Sequence, residues 1–198
     1  MPTVTGLHPE QRDRVRVELD GAPWRTLPAA VVVSAGLRLG VVLDRERARE
    51  LRGAIRRTGA LDLAGKALAR RDRSVKGLEA VLERRGIPEA ERVAAVERLE
   101  QFGYLDDDRY AVTRAGTLAG RGYGNEAIEF ELMREGLDDE RVAAALAGLE
   151  DEIDRARRLC AKPELPRKAA ARLARRGFSF ETIESALGAD AGELDASD

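Results

Sequence analysis

Cysteine and histidine each occur once in the 198 residues, as Cys160 and His8. An internal disulfide is therefore impossible, and the clustered thiolates and imidazoles that hold zinc are missing. Cys160 is expected on an apolar helix face with Ile153 and Ala156, and His8 at the surface near a strand end. Aromatic residues make up only 4% and tryptophan occurs once, so the interior must be built from Leu, Val, Ile and Ala, which suits helices. No stretch approaches the roughly 20 apolar residues that a membrane-crossing helix needs. The opening residues, MPTVTGLHPEQRDR, carry neither a basic leader nor an apolar run. A cytoplasmic protein without a membrane anchor is expected. No nucleophile–base pair, metal constellation or cofactor loop stands out, so we expect no catalytic residue, no metal and no cofactor. The glycine-rich GRGYG at 120–124 lacks the lysine and the serine or threonine of a phosphate loop and follows no strand.

What the chain has in abundance is charge, at 35% of residues, with a net value of only −2. The distribution is uneven: residues 1–60 hold 11 Lys/Arg against 7 Asp/Glu, whereas 123–161 hold 5 against 11. Residues 162–187 turn basic again, and 188–198 are acidic. Such bands fit either a solvated helical surface or a partner that itself alternates in charge.

The first 60 residues differ from the rest. RVRVEL at 14–19 alternates polar and apolar residues, the period of a strand with one buried face, and Asp20-Gly21 is a hairpin-turn signal. Thr3 to Leu7 supplies a candidate third strand, and Trp24 is expected to plug the core of this small sheet. A short helix from Pro28 to Ala35, closed by Gly36, and a second from an Asp44 N-cap to Arg57, ending at Gly59, are predicted to follow.

From Leu61 onward the pattern predicts nine short helices in three sets. In the first, Leu61–Arg71 is a helix, Ser74 caps a second that Gly86 ends, and Pro88 opens a third. In the second, Asp107 or Asp108 caps a helix to about Ala119, Asn125 caps the next and Asp138 starts the last. In the third, a helix from Asp151 to Ala161 breaks at Pro163 and Pro166, resumes to Gly177 and restarts after Ser179. The cadence LERRGI at 82–87 returns as LMREGL at 132–137 and LARRGF at 173–178. Each copy reads as the last turn of a set's second helix: the leucine points inward, Gly86, Gly136 or Gly177 takes the left-handed conformation, and the next apolar residue covers the turn. Repeats of this size stack helices in series. The expected organisation is a small β-hairpin and helix domain at 1–60, three-helix repeats at 61–103, 104–149 and 150–188, and an acidic, disordered tail at 189–198. The expected fold class is mainly α: three tandem three-helix bundles in an elongated curved array behind a small β-hairpin/α segment.

Between the first two repeats lies GYLDDDRYA, Gly103 to Ala111. With the later GYGNEAIEFELMREGL and the order and spacing of both, it resembles the RecX family of regulators of the RecA recombinase over roughly residues 61–187. Asn125 and Glu135 depart from residues frequent in that family. The resemblance implies three tandem three-helix bundles lying in the helical groove of a RecA filament on single-stranded DNA, limiting ATP hydrolysis and strand exchange. It implies a regulator in DNA repair, recombination and the SOS response, and no enzymatic activity; a monomer is expected.

Physically, GYLDDDRYA is a helix-entry device. Its acidic residues sit where backbone N–H groups lack partners and the helix dipole is positive, and Tyr104, Leu105 and Tyr110 are placed to wedge between bundles. Gly103, Tyr104, Leu105, Asp106, Asp107 and Tyr110 are thus the inter-repeat candidates. Candidates for contact with the filament or with DNA are Arg70, Arg71, Arg73 and Lys76 around the Ser74 cap, Arg109 and Arg114 after the motif, and Arg121 in the linker. Lys168, Arg172, Arg175 and Arg176 complete the set along one helix face of the third repeat. Arg84 and Arg85 at a helix C-terminus answer the dipole equally well. An alternative stays open at this point: a helical-repeat module that contacts single- or double-stranded DNA directly, since three-helix units with a tight turn overlap with helix-turn-helix architecture.

Overall fold

The structure, a computed structural model, describes residues 1–161 and 165–193. Pro163 and the last five residues of the acidic tail lie outside the described residues. The chain divides into two compact units, one of residues 1–71 with 78–102, the other of 72–77 with 103 onward.

The first unit opens on a three-stranded antiparallel meander: β1 (Val4–Glu10), β2 (Arg14–Leu19) and β3 (Ala22–Pro28). Asp20 and Gly21 both take positive φ, 50° and 80°, as a two-residue hairpin turn requires. Alternation puts Val17 and Leu27 on the inner face, where they join Val4, Val31, Val32, Leu37, Leu43, Leu51 and Ala54 in one core. Trp24 is not part of it. A register shift between Val17 and Glu18 pairs Val17 with Arg25 and Glu18 with Pro23, which leaves Trp24 without a cross-strand partner and 43% exposed.

The short α1 (Ala29–Ser34) leads to α2 (Arg45–Leu68), a single helix of 24 residues capped by Asp44, whose side chain accepts from Arg47 N–H. Two separate helices with a stop at Gly59 are expected from the sequence, and the structure corrects this. Gly59 keeps the right-handed conformation, and its preference for a turn, about 1 kcal/mol, is outweighed by Leu51, Ala54, Ala60, Ala64 and Ala67, all buried at helical spacing along the whole length. Eight further helices follow. They are α3 (Val75–Arg84), α4 (Glu89–Gln101), α5 (Asp107–Gly120), α6 (Asn125–Arg134), α7 (Asp139–Ala147), α8 (Glu152–Leu159), α9 (Pro166–Ala174) and α10 (Phe180–Glu193). Within the first unit α2 packs on α4. Within the second, α5, α6 and α7 enclose Ala111, Ala115, Leu118, Ile128, Leu132, Leu137, Val142 and Ala145, and α8, α9 and α10 enclose Ala156, Leu173, Phe178, Ile183 and Ala186. α10 runs through Glu193, so the stretch expected to be an unstructured tail begins inside a helix. Among the described residues no helix is long and apolar enough to cross a membrane.

Candidate functional site

The three cadences close their helices in the same way. Gly86, Gly136 and Gly177 have φ of 73°, 91° and 75°. The residue after each donates its backbone N–H to the carbonyl of the leucine: Ile87 to Leu82 (3.1 Å), Leu137 to Leu132 and Phe178 to Leu173 (3.2 Å each). Leu82, Leu132 and Leu173 are fully buried. The left-handed glycine satisfies carbonyls that the helix end would leave unpaired, and the apolar pair seals the turn.

In the second unit two of these turns also receive the start of another helix, and the two joints are built alike. At the first, the turn after α6 receives the first residues of α3: Ser74 Oγ donates to the Glu135 carbonyl, and the Lys76 side chain lies against Gly136. At the second, the turn after α9 receives the start of α6: Gly124 N–H donates to the Arg176 carbonyl (2.8 Å), Glu126 N–H donates to that of Gly177 (3.1 Å), and Ala127 lies against Gly177. A carboxylate from the first turn of a neighbouring helix completes each. Asp107 of α5 accepts from Val75 N–H (2.8 Å), and Glu152 of α8 accepts from Asn125 N–H. Val75 and Asn125 are the first residues of α3 and α6, whose N–H groups have no partner inside their own helices.

The three aspartates of GYLDDDRYA therefore do three different things. Asp106 is the N-cap of α5, accepting from Arg109 N–H at 2.8 Å. Asp107 or Asp108 is the cap expected from the sequence, and the structure moves it one residue earlier. Asp107 holds α3, and Asp108 meets Arg141 at 2.8 Å, an arginine that Asp138 also holds. Burial pushes the Asp107 carboxyl above its ordinary range, against the pull of the Val75 N–H. The folded state thus binds a proton more readily than the unfolded chain, so the penalty is absent at low pH and grows as pH rises through the folded value. Asp107→Asn keeps an acceptor without the charge and is expected to change stability by less than about 1 kcal/mol at neutral pH; Asp107→Ala orphans Val75 N–H and is expected to cost about 1–2 kcal/mol. Urea denaturation of the two variants checks the difference.

Around the motif, Leu105 is buried at 3% exposure, Tyr104 is open at 70%, and Gly103 turns the chain with φ of 69°. Tyr110 donates its hydroxyl to Glu135 Oε2 (2.7 Å), and Arg114 bonds the same carboxylate through Nε and Nη2. Of the three expected wedges, only Leu105 and Tyr110 face inward. Asn125 does not cap α6: Gly124 holds that position, and Asn125 turns its side-chain oxygen to the guanidinium of the buried Arg155.

The predicted cations separate into two groups. Arg114 and Arg176 belong to the joints, the latter donating to the carbonyls of Arg121 (2.8 Å) and Gly122 (3.2 Å). Arg172 turns its Nη2 toward Cys160 Sγ at 3.9 Å, Arg73 is half-buried, and Arg109 bonds the Gly103 carbonyl and Asp106. Arg70, Arg71, Lys76, Arg84, Arg85, Arg121, Lys168 and Arg175 are exposed. The four-residue basic stripe expected along α9 accordingly keeps only Lys168 and Arg175 outward. Sequence reasoning missed another: Arg45, Arg49, Arg52 and Arg56 recur at helical spacing along α2 and are all exposed, with Arg56 held by Glu91 at 2.6 Å. Arg56 in turn holds the Glu91 carboxyl below its usual range. The spacing was there to be read, since all four lie inside the helix expected from Asp44 to Arg57.

A mostly helical chain behind a small sheet, with three-helix groups closed by glycine turns and cations left outside, is a repeat-built helical scaffold. The family model described as RecX, second three-helix domain, matches residues 106–146. The Regulatory protein RecX of Xanthomonas axonopodis pv. citri (strain 306) is 43% identical over 129 residues, covering 60% of this chain and 80% of that protein. The Regulatory protein RecX of Stenotrophomonas maltophilia (strain R551-3) is 39% identical over the same length, covering 60% and 79%. The chain belongs to the RecX family of regulatory proteins. In fold it is similar to a crystal structure of regulatory protein RecX, with a TM-score of 0.78 at 19% identity over 94% of this chain and 98% of the other. It is also similar to that of RecX from Lactobacillus salivarius, with a TM-score of 0.61 at 22% identity over 71% and 97%.

Proposed function

We propose that this chain regulates homologous recombination by lying in the groove of the RecA filament on single-stranded DNA and restraining its ATP hydrolysis and strand exchange. The observation that supports this most is membership of a family of regulatory proteins, whose second-domain model matches residues 106–146, from the aspartates of GYLDDDRYA onward. The role is one of binding and not catalysis, with the three-helix groups as successive contact modules. The exposed cations Arg70, Arg71, Lys76, Arg121, Lys168 and Arg175 meet phosphates or acidic side chains of the filament, and the arginines of α2 add to them. The joint residues Asp107, Tyr110, Arg114 and Arg176 act by keeping those modules in place.

The expected result is suppression of DNA-stimulated ATP hydrolysis by the cognate recombinase at stoichiometric or lower amounts of the protein. Unchanged turnover across a broad titration would sink the proposal. A second reading, direct DNA binding, is favoured by the exposed arginines of α2 and by Lys168 and Arg175. The two readings separate on salt, because binding dominated by phosphate contacts loses roughly a thousandfold or more between 50 and 200 mM salt when six or more phosphates are neutralised.

A further inference from the structure

The second helix of each three-helix group carries a face turned away from its own core, and these faces differ. Aligned on the terminating glycines 86, 136 and 177, Lys76 of α3, Glu126 of α6 and Arg167 of α9 occupy one position. Phe130 corresponds to Ala80 and Ala171, and Met133 to Glu83 and Ala174. The repeating frame thus asks for nothing larger than alanine where Phe130 stands. Yet Phe130 is 65% and Met133 43% exposed. Glu126, Glu129, Phe130 and Met133 fall at i, i+3, i+4 and i+7, one stripe on the side opposite the fully buried Ile128 and Leu132. Among the described residues no cation lies within ion-pair distance of Glu126 or Glu129; the nearby Arg134 is paired with Glu131 at 2.6 Å.

We infer that this face of α6 is a docking surface for protein, and that its occupant is a basic segment of a recombinase subunit presenting an apolar side chain. Two large apolar groups in water, with no packing role in the repeat, mark an interface anchor. Two uncompensated carboxylates beside them repel phosphate and select a cationic protein surface. The middle group would then grip protein where the flanking groups, with Lys76 and Arg167 at the same place, face polyanion. The inference rests on the filament reading above and specifies the partner chemistry of one helix within it.

The test uses the full chain. Wild type, Glu126→Lys/Glu129→Lys and Phe130→Ser/Met133→Ser are compared for affinity to the cognate recombinase filament on single-stranded DNA, for affinity to the same DNA alone, and for self-association by sedimentation. All four positions are exposed, so unfolding midpoints are expected to stay close to wild type, the charge reversal losing at most about 1 kcal/mol because Glu126 lies in the first turn of α6. Each double variant is expected to bind the filament about tenfold more weakly or worse, with affinity for naked DNA unchanged or raised by the charge reversal. Equal filament binding by either variant overturns the inference, as does tighter filament binding after charge reversal, which would mean that DNA lies on this face. Wild-type self-association lost in the Phe130/Met133 variant would make a second copy the occupant and overturn it too. Failure of the wild type itself to bind the filament counts against the proposed function, a distinguishable result.

Discussion

Gly124→Ala is expected to be among the most damaging single-methyl additions in the chain, at about 3 kcal/mol in urea or thermal unfolding of the second unit. A Cβ at this position would overlap the carbonyl oxygen and carbon of Gly177 and the amide nitrogen of Phe178. These are backbone atoms inside a closed turn and cannot rotate away. Relief requires moving α6 from the turn, which stretches the hydrogen bonds from Gly124 N–H to Arg176 and from Glu126 N–H to Gly177. Overpacking of this kind costs about 1–3 kcal/mol, and each lost hydrogen bond about 1. Gly86→Ala is the contrasting comparison. Its φ of 73° is left-handed where that of Gly124 is −79°, but nothing lies within 4 Å of the added carbon, so only the conformational penalty of about 1–2 kcal/mol applies. Equal effects at the two glycines would mean that the second joint is looser than described.

Arg155→Ala is expected to cost about 3 kcal/mol, far above the surface arginines of the same helix. Arg155 is 5% exposed and donates to the carbonyls of Tyr123 (2.9 Å) and Glu150 (3.1 Å) and to the Asn125 side chain. Burial draws its proton affinity below the usual arginine range, with Glu152, Glu150 and Asp151 opposing. Removing the fork leaves two part-buried carbonyls and the Asn125 side-chain oxygen without this donor and empties a buried site, the case in which a lost partner costs most. Arg155→Lys is expected to recover only part of the loss, since one ammonium cannot span three acceptors set around a planar guanidinium. Arg157→Ala, at an exposed pair with Asp154, should stay within about 0.5 kcal/mol. Chemical denaturation of the three variants distinguishes a buried tie from a surface charge.

How far the sequence was readable depended on the range of the interaction. The hairpin at Asp20-Gly21 and the turns at Gly86, Gly136 and Gly177 were legible because each is decided within six residues, by a backbone conformation that few residues adopt. Asp44, Asp138, Asp151 and Ser179 cap the helices that follow them for the same reason. The unbroken α2 was not legible, because Gly59 looks like a stop until the buried alanines beyond it are known to share a core. The run of three aspartates could not be resolved either: local chemistry suits each of them to a cap, and the choice is made by Val75 and Arg141, more than 30 residues away. The site divided along the same line. That arginines cluster near residues 70 and 170 could be read directly, but that Arg114 answers Glu135 and Arg176 the Arg121 carbonyl could not, with partners 21 and 55 residues distant. Glu135, a departure from the residue frequent in the family, is ringed by Tyr110 and Arg114.

The continuity of α2 means that the strands cannot be treated as a detachable ornament. Its first three turns join the core under the sheet through Leu51 and Ala54, and its last two carry Ala64 and Ala67 into the helical part. A lineage or an experimenter shedding the leading sixty residues would sever a beam in midspan, stripping acceptors from the N–H groups of a fresh helix end and baring alanines that had been dry.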